Sequence, residues 1–354
     1  MTPHRAAAYE NCVAEENQLQ SPRDIRARAT GLLRRSLLRA ASVAAMLAAP
    51  VVPMAPRIAS AQSTRLTIGT ALAGGAVSNY GIAFIDGLRQ VDPLMEIKAV
   101  NTQGIQDNVA LLEQGKLDLA LVFGEVAHEL FAGVGRTPTK LKVISVMYST
   151  PGMFVVRAES RYRTINDLKG RRVVWNIRNG GLALQGRYVM DGLGLDPEKD
   201  FEAVYIEKLS DGPEMVLDGT AAALWGGGYR WPGFITVASN TRGARFIAPR
   251  EEEIVRIRAK HPFLARLVVP AGLYPGQHDA IPTVGTWSYV LARADLEEAA
   301  GYRLAASLHK VERANLLNKT LVESTIKNTL SAVSSPDMLN PGVLSYYKKA
   351  GLVQ

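Results

Sequence analysis

Two β-rich stretches, residues 143–157 and 282–293, constrain this chain more than any other feature. Each exceeds the roughly five or six residues of an ordinary strand. Each is also interrupted near its middle, one by Pro151-Gly152 and the other by Gly285. Strands of that length, far apart in the chain, suit a pair of connections that cross between two lobes and return. The expected domains follow: residues 62–150 form lobe 1, residues 151–284 form lobe 2, and residues 285–354 return to lobe 1 with the closing helices. A cleft would lie between the lobes.

From Arg65 onward, short β-branched or apolar runs alternate with helical patterns, the signature of parallel α/β construction. Strands are expected at 66–70, 97–100, 117–122, 142–149, 153–157, 172–175 and 203–206. A helix over 79–91 sets Ile82, Ile85 and Leu88 on one face, and one over 105–114 does the same with Val109 and Leu112. Thr164-Ile165-Asn166-Asp167 fits a capping box ahead of a short helix that Gly170 ends. Ser210 is expected to cap a helix running to Asp218, with Gly192 and Gly219 closing further helices. After residue 65 there is no internal repeat, low-complexity tract or Gly/Ser/Pro linker, so any lobe division runs through connecting strands.

Ahead of this lies Arg34-Arg35-Ser36-Leu37-Leu38, then an apolar run over 40–56 and Ala59-Ser60-Ala61. Two arginines before a modestly apolar segment that ends in A-x-A have the layout of a twin-arginine export signal. The run carries Pro53 and Pro56 and falls short of the roughly 20 residues a membrane helix needs. An uncleaved N-terminal anchor is the alternative. The segment before the arginines outruns a usual n-region, which implies an extended leader or a later start codon. Residues 1–61 are therefore expected to be a leader outside the folded protein. They hold eight of the 41 Lys+Arg and four of the 33 Asp+Glu, so removing them leaves 33 against 29, a net charge of +4 rather than +8. No basic cluster interleaved with aromatics remains, which argues against nucleic acid as a partner. The lone cysteine, Cys12, is also in this segment. The product is then a thiol-free periplasmic protein, held together by its core and expected to be a monomer.

Several segments resemble a known family in order along the chain. Leu66-Thr67-Ile68-Gly69-Thr70 leads into Gly74-Gly75, followed by Asn101-Thr102-Gln103-Gly104-Ile105-Gln106-Asp107-Asn108 and Leu112-Glu113-Gln114-Gly115-Lys116-Leu117-Asp118-Leu119-Ala120. Then come Val155-Val156-Arg157, Ile165 to Val173, Leu217-Asp218-Gly219-Thr220-Ala221-Ala222 and the ending Asn340 to Gly351. The set is similar to the TAXI solute receptors of TRAP transporters. That resemblance implies a type II periplasmic binding-protein fold: two α/β lobes joined by crossing strands and closing over a small anionic solute, an organic acid or an amino acid. It also implies delivery to TRAP membrane subunits, with no cofactor. Departures fall where the family's ligand contacts are expected: Val77 and Ser78 replace paired tyrosines, and Gln103 and Ile105 replace small residues. The ligand is thus less transferable than the architecture.

Apart from the family, loops between a strand's carboxyl end and a helix's amino end suit an anion, because unpaired N–H groups and the helix dipole converge there. In the first, Gly74 and Gly75 allow close backbone approach, and Ser78, Asn79 or Tyr80 would add polar groups. In the second, Thr102 and Gln103 are expected to face the cleft, while Asn108 suits a structural bond to the loop backbone. The third contains Arg178, Asn179 and Gly180, where a guanidinium suits bidentate carboxylate recognition. A fourth segment, 225–232, sets Trp225, Tyr229 and Trp231 among glycines that include Gly226, giving flat walls beside a flexible backbone. Each of these also has a plain structural reading as cap, surface charge or core aromatic.

An enzyme is the rival class, but no H-E-x-x-H, G-x-S-x-G, Walker lysine loop or βαβ-embedded G-x-G-x-x-G is present. No catalytic or metal-binding residue is therefore assigned. Glu125, His128 and Glu129 share one side of a helical turn and read as a solvated face, and His278-Asp279 reads as a turn. A receptor that presents its ligand to a membrane sensor, instead of a transporter, fits the same sequence. A receptor-like fold that has lost its ligand is the remaining alternative.

Overall fold

A computed structural model of the chain describes residues 63–73 and 76–353. The export segment read above and the pair Gly74-Gly75 lie outside the described residues. The first part runs β1 (Thr64–Gly69), α1 (Ala76–Val91), β2 (Met95–Val100), α2 (Ile105–Glu113), β3 (Leu119–Val122), α3 (Gly124–Ala132) and β4 (Lys142–Arg157). It continues β5 (Arg172–Val174), α4 (Gly181–Gly192), α5 (Pro197–Asp200), β6 (Glu202–Val204), α6 (Asp211–Asp218), β7 (Ala223–Gly227), α7 (Pro232–Ala238) and β8 (Ala244–Ile247). The last part is α8 (Glu251–Lys260), β9 (Ala265–Val269), β10 (Ile281–Ala292), α9 (Glu298–Arg313), α10 (Ile326–Ala332) and α11 (Pro341–Lys349).

These strands join one sheet in the order β2-β1-β3-β10-β4-β7-β5-β6, with β8 on β4 and β9 on β10. The long stretches seen in the sequence are the crossing pair, β4 with 16 residues and β10 with 12. They run antiparallel, from Lys142 opposite Ala292 to Gly152 opposite Val284. At one end β10 also takes β3; at the other β4 takes β7 and β8 while β10 takes β9. The sequence suggests a break in β4 between 149 and 153, yet the strand runs through Pro151. Proline's fixed φ is compatible with an extended strand; Pro151 lies opposite Gly285 of β10 and just past the point where β7 ends on Gly152, and its carbonyl accepts from Gly228 N at 3.1 Å.

Hydrophobic packing divides at the middle of this pair. One cluster draws on residues 66–147 and 289–347, with Ile68, Phe84, Leu119 and Leu304 sealed inside. Two others draw on 153–284. Phe154 and Val156 enter the cluster around Trp175 and Trp225, whereas Met153 and Val155 enter the one around Val216 and Phe234. Alternate residues of one strand thus feed opposite faces of the sheet, as the pleat requires. Two α/β lobes are joined by the crossing strands.

Local signals resolve unevenly. Thr164 and Asp167 form the expected capping box, and Gly170 follows at φ 65°. Gly219 ends α6 at φ 87°. Ser210 precedes that helix, but its hydroxyl bonds the Asp211 carboxylate and caps no backbone N–H. Gly192 is the last residue of α4, as expected, but the left-handed position just beyond is taken by Gly194 at φ 75°. Gly192 is small because α8 lies against it: a Cβ there would sit 2.8 Å from the Ile257 Cα.

Candidate functional site

Strand register fixes where a cleft must be. β3 runs toward the middle of the crossing pair and ends with Val122 opposite Tyr289. β7 approaches from the other lobe and ends with Gly227 opposite Gly152. β1 and β2 run parallel with β3 in their lobe, and β5 and β6 with β7 in theirs. The carboxyl ends of both sets therefore converge on Ser149–Gly152 of β4 and Val284–Trp287 of β10, the position at which open α/β sheets bind ligands.

Two polar clusters flank this floor. In the first, Gln185 of α4 donates to Thr150 O at 2.8 Å and to Thr286 Oγ1 at 3.3 Å, and the Thr286 hydroxyl donates to Glu125 Oε2 at 2.9 Å. Glu125 is the second residue of α3 and is buried, which pushes its carboxyl above the usual carboxylate range; the nearby Glu129 charge acts in the same direction. Burial likewise raises the Tyr148 phenol beside it. In the second, Glu323 accepts from Ser149 N at 3.1 Å and from Ser149 Oγ at 2.6 Å. Burial raises its carboxyl despite both bonds. Tyr229, from the turn after β7, donates to Val268 O at 3.2 Å and sits beside Ser149.

The lobes also touch through α3 and α4. A Cβ on Gly181 would collide with the Glu125 carboxylate. Tyr188 donates to Glu129 at 3.3 Å, and the His128 ring stacks on Phe263 at 3.6 Å between centroids. Burial and the neighbouring His261 hold His128 below the ordinary histidine range. Glu125, His128 and Glu129 are thus not the solvated face expected from sequence; packing against lobe 2 covers them. A cavity of about 270 Å³ opens at this contact, lined by Glu129, Leu184, Arg187, Tyr188 and Asp191.

The residues singled out in the sequence fall into three groups. Of the first loop, Gly74 and Gly75 are outside the described residues, Asn79 is exposed, Ser78 is buried, and Tyr80 is fully buried with its hydroxyl 2.8 Å from Ser324 Oγ. Thr102 is also buried and donates to Asn108 Oδ1 at 2.6 Å, while Gln103 is exposed with its N–H on Asp107. Asn108 is structural: its amide donates to Thr70 O and Leu121 O, tying β1 to β3.

In lobe 2, Arg178 is held on the surface by Glu198 at 3.0 Å and by the Tyr205 ring at 3.8 Å. Asn179 is exposed, and Gly180 is the N-cap residue of α4. Trp225 is a core residue, its ring in edge contact with Phe154 and its Nε1 donating to Leu182 O at 2.8 Å. Gly226 is small because the Trp231 ring covers it. Of the aromatic trio, Trp225 meets the floor only as core packing against Gly152, and Tyr229 alone brings a hydroxyl to it.

Sequence reasoning passed over Glu125, Tyr148, Ser149, Gln185, Thr286 and Glu323. The strand-end rule that selected the other loops also points to Phe123-Gly124-Glu125 after β3. Nothing local points to Glu323, which meets Ser149 from 174 residues away. Among the described residues no group of three His, Cys, Asp or Glu is arranged to hold a metal ion. No helix among them is long and apolar enough to cross a membrane.

Lobes, crossing strands and opposed strand ends define the type II periplasmic binding-protein fold. Solved structures agree at low sequence identity. A TctC solute binding protein from Polaromonas matches with a TM-score of 0.53 and 15% identity, over 82% of this chain and 99% of that one. A putative sulfonate ABC transporter periplasmic sulfonate-binding protein, SsuA, from Methylobacillus flagellatus KT matches at 0.52 and 15%, over 82% and 96%. Within that fold, the chain belongs to the NMT1-like family, matched over residues 68–351.

Proposed function

We propose that this chain is an extracytoplasmic solute receptor that captures a small organic solute between its lobes and delivers it to a TRAP-type secondary transporter. The observation that carries the reading is the convergence of both lobes' strand ends on the middle of β4 and β10, which two polar clusters flank. The structural neighbours, a TctC solute binding protein and a sulfonate-binding protein, support the same class. The TAXI-like segments and the twin-arginine layout support the TRAP assignment and periplasmic delivery.

In this reading lobe 1 comprises 62–150 and 285–354, lobe 2 comprises 151–284, and the solute is an organic acid or amino acid. A carboxylate would meet the free N–H groups at the start of α4 after Gly180, where the helix dipole favours negative charge. Tyr229 would close on it from the turn after β7. Solute contacts on both lobes would favour the closed form, by no more than the difference in affinity for the two forms.

The test is a metabolite screen by thermal shift on the full chain, followed by small-angle scattering with each hit. Stabilisation together with compaction is expected. A verified ligand that leaves the scattering radius unchanged sinks the closure mechanism. Uptake of that ligand in vesicles holding TRAP membrane subunits, dependent on added receptor, tests delivery; uptake indifferent to the receptor refutes it.

A further inference from the structure

We propose that the solute carries a protonated nitrogen, an ammonium or guanidinium group, that pairs with Glu323 on the floor of the cleft. The inference rests on the receptor reading and narrows its solute class. Glu323 lies on the segment between α9 and α10 and reaches the middle of β4, where both its oxygens are fixed by Ser149. Tyr229 comes to the same spot from the other lobe. A group bound at Glu323 therefore touches lobe 1, a crossing strand and lobe 2 at once, so its charge favours closure.

Charge balance gives the sign. A largely buried carboxylate without a cation is unfavourable, and folded proteins ordinarily pair such groups. No Lys, Arg or His side chain pairs with Glu323 among the described residues, and no positive charge offsets the effect of burial on it. Glu125, on the other face of the floor, is also without a cationic partner. Arg230 lies next to Tyr229, but it is exposed and forms no ion pair with Glu323. Arg178 is held by Glu198.

A dicarboxylate in the same place would bring further negative charge to Glu323 with no cation to offset it.

The experiment uses the full-length chain, extensively dialysed. A library of several hundred metabolites is screened by thermal shift, with amines, amino acids, guanidino compounds and nitrogen-free mono- and dicarboxylates equally represented. Hits are then measured by calorimetry at matched ionic strength. Hits should carry a protonated nitrogen, and the desamino analogue of each should bind at least tenfold more weakly. Glu323→Gln, which keeps an acceptor for Ser149, should lower affinity at least tenfold while its ligand-free melting temperature stays near that of the parent. Hits confined to nitrogen-free acids, or a desamino analogue or Glu323→Gln variant of undiminished affinity, overturn the proposal and leave the receptor reading standing. A library without any hit overturns both.

Discussion

Replacing Gly181 by alanine tests whether the lobes close through the α3–α4 contact. Gly181 begins α4 with φ outside the left-handed region, so alanine is acceptable to the local backbone and raises helix propensity by up to about 1 kcal/mol. With the lobes together, however, its Cβ would run into the Glu125 carboxylate and lie 3.1 Å from Phe123 Cδ2. Glu125 cannot yield cheaply: it is 5% exposed, and turning it away forfeits the Thr286 hydrogen bond, a loss of about 1.5–3 kcal/mol for a charged acceptor. Nor can α4 slide within its own lobe, because Trp225 holds the Leu182 carbonyl and Gly186 lies against the Trp175 and Trp225 rings. Separation of the lobes is the cheapest relief.

A penalty of about 2 kcal/mol on the closed form shifts the open-to-closed ratio by roughly 30-fold, at 1.4 kcal/mol per tenfold. Small-angle scattering on the full-length variant should give a larger radius than the parent. Its melting temperature should stay within about 2 °C, because none of the three apolar clusters contains residue 181. An unchanged radius would refute the closure contact. A melting temperature lowered by about 5 °C or more would place Gly181 in lobe stability instead.

Four further outcomes follow from the same structure. Asn108→Ala removes the donors to Thr70 O and Leu121 O; the Thr102 hydroxyl still reaches Thr70 O at 3.3 Å, so the loss falls mainly on Leu121 O, and stability should fall by about 1–3 kcal/mol and the melting temperature by roughly 2–6 °C in calorimetry. Arg303→Ala breaks the two-pronged bond to Asp92, at 2.6 and 2.7 Å, that ties α9 to the end of α1; about 2 kcal/mol should be lost. Because Arg303 holds the Asp92 carboxyl below its ordinary range, that stability is present above the ordinary aspartate pKa and lost as pH falls through the depressed one, so the gap between variant and parent should shrink in acid. Glu125 has the opposite sign: its raised pKa contributes stability below the ordinary glutamate range that is lost as pH rises, so Glu125→Gln should melt above the parent at pH 8, with the gap closing near pH 4. Arg178→Ala should cost under about 1 kcal/mol and leave solute affinity within twofold, since its ion pair is a surface one.

The architecture was legible where one residue pattern allows one geometry. Stretches of fifteen and twelve residues with a glycine near the middle admit little besides strands long enough to serve two lobes. A Thr-x-x-Asp box or a glycine at a helix end carries its own hydrogen-bond or φ requirement, as Thr164 and Gly219 do. The site was less legible because its residue types serve two roles equally well. An indole beside glycines fits a ligand wall or a core; the β4 register that lays Phe154 against Trp225 decides for the core. An arginine in a strand-end loop fits a carboxylate clamp until Glu198 and Tyr205, from an adjoining helix and the following loop, take its charge and its face. Glu323 depends on a contact that exists only once the return segment is folded back on β4.

The same distinction changes the role of the central glycines. Gly152 and Gly285 interrupt the two long stretches of the sequence, yet neither has a positive φ. A Cβ on Gly285 would strike the Thr150 carbonyl, and one on Gly152 would come within 2.6 Å of both the Trp225 ring and Gln185 Oε1. These glycines are small so that two strands and an indole can approach closely, which stiffens the crossing. Irregularity lies elsewhere on the same pair, at the register shifts between Trp287 and Tyr289 and between Val290 and Leu291. Bulged strands bend and twist more than regular ones, so lobe motion is better accommodated there, on the lobe 1 side of the floor. Glu323 and Ser149 sit beside that bend while Tyr229 belongs to lobe 2, so a charge bound among the three acts across the joint about which the lobes must turn.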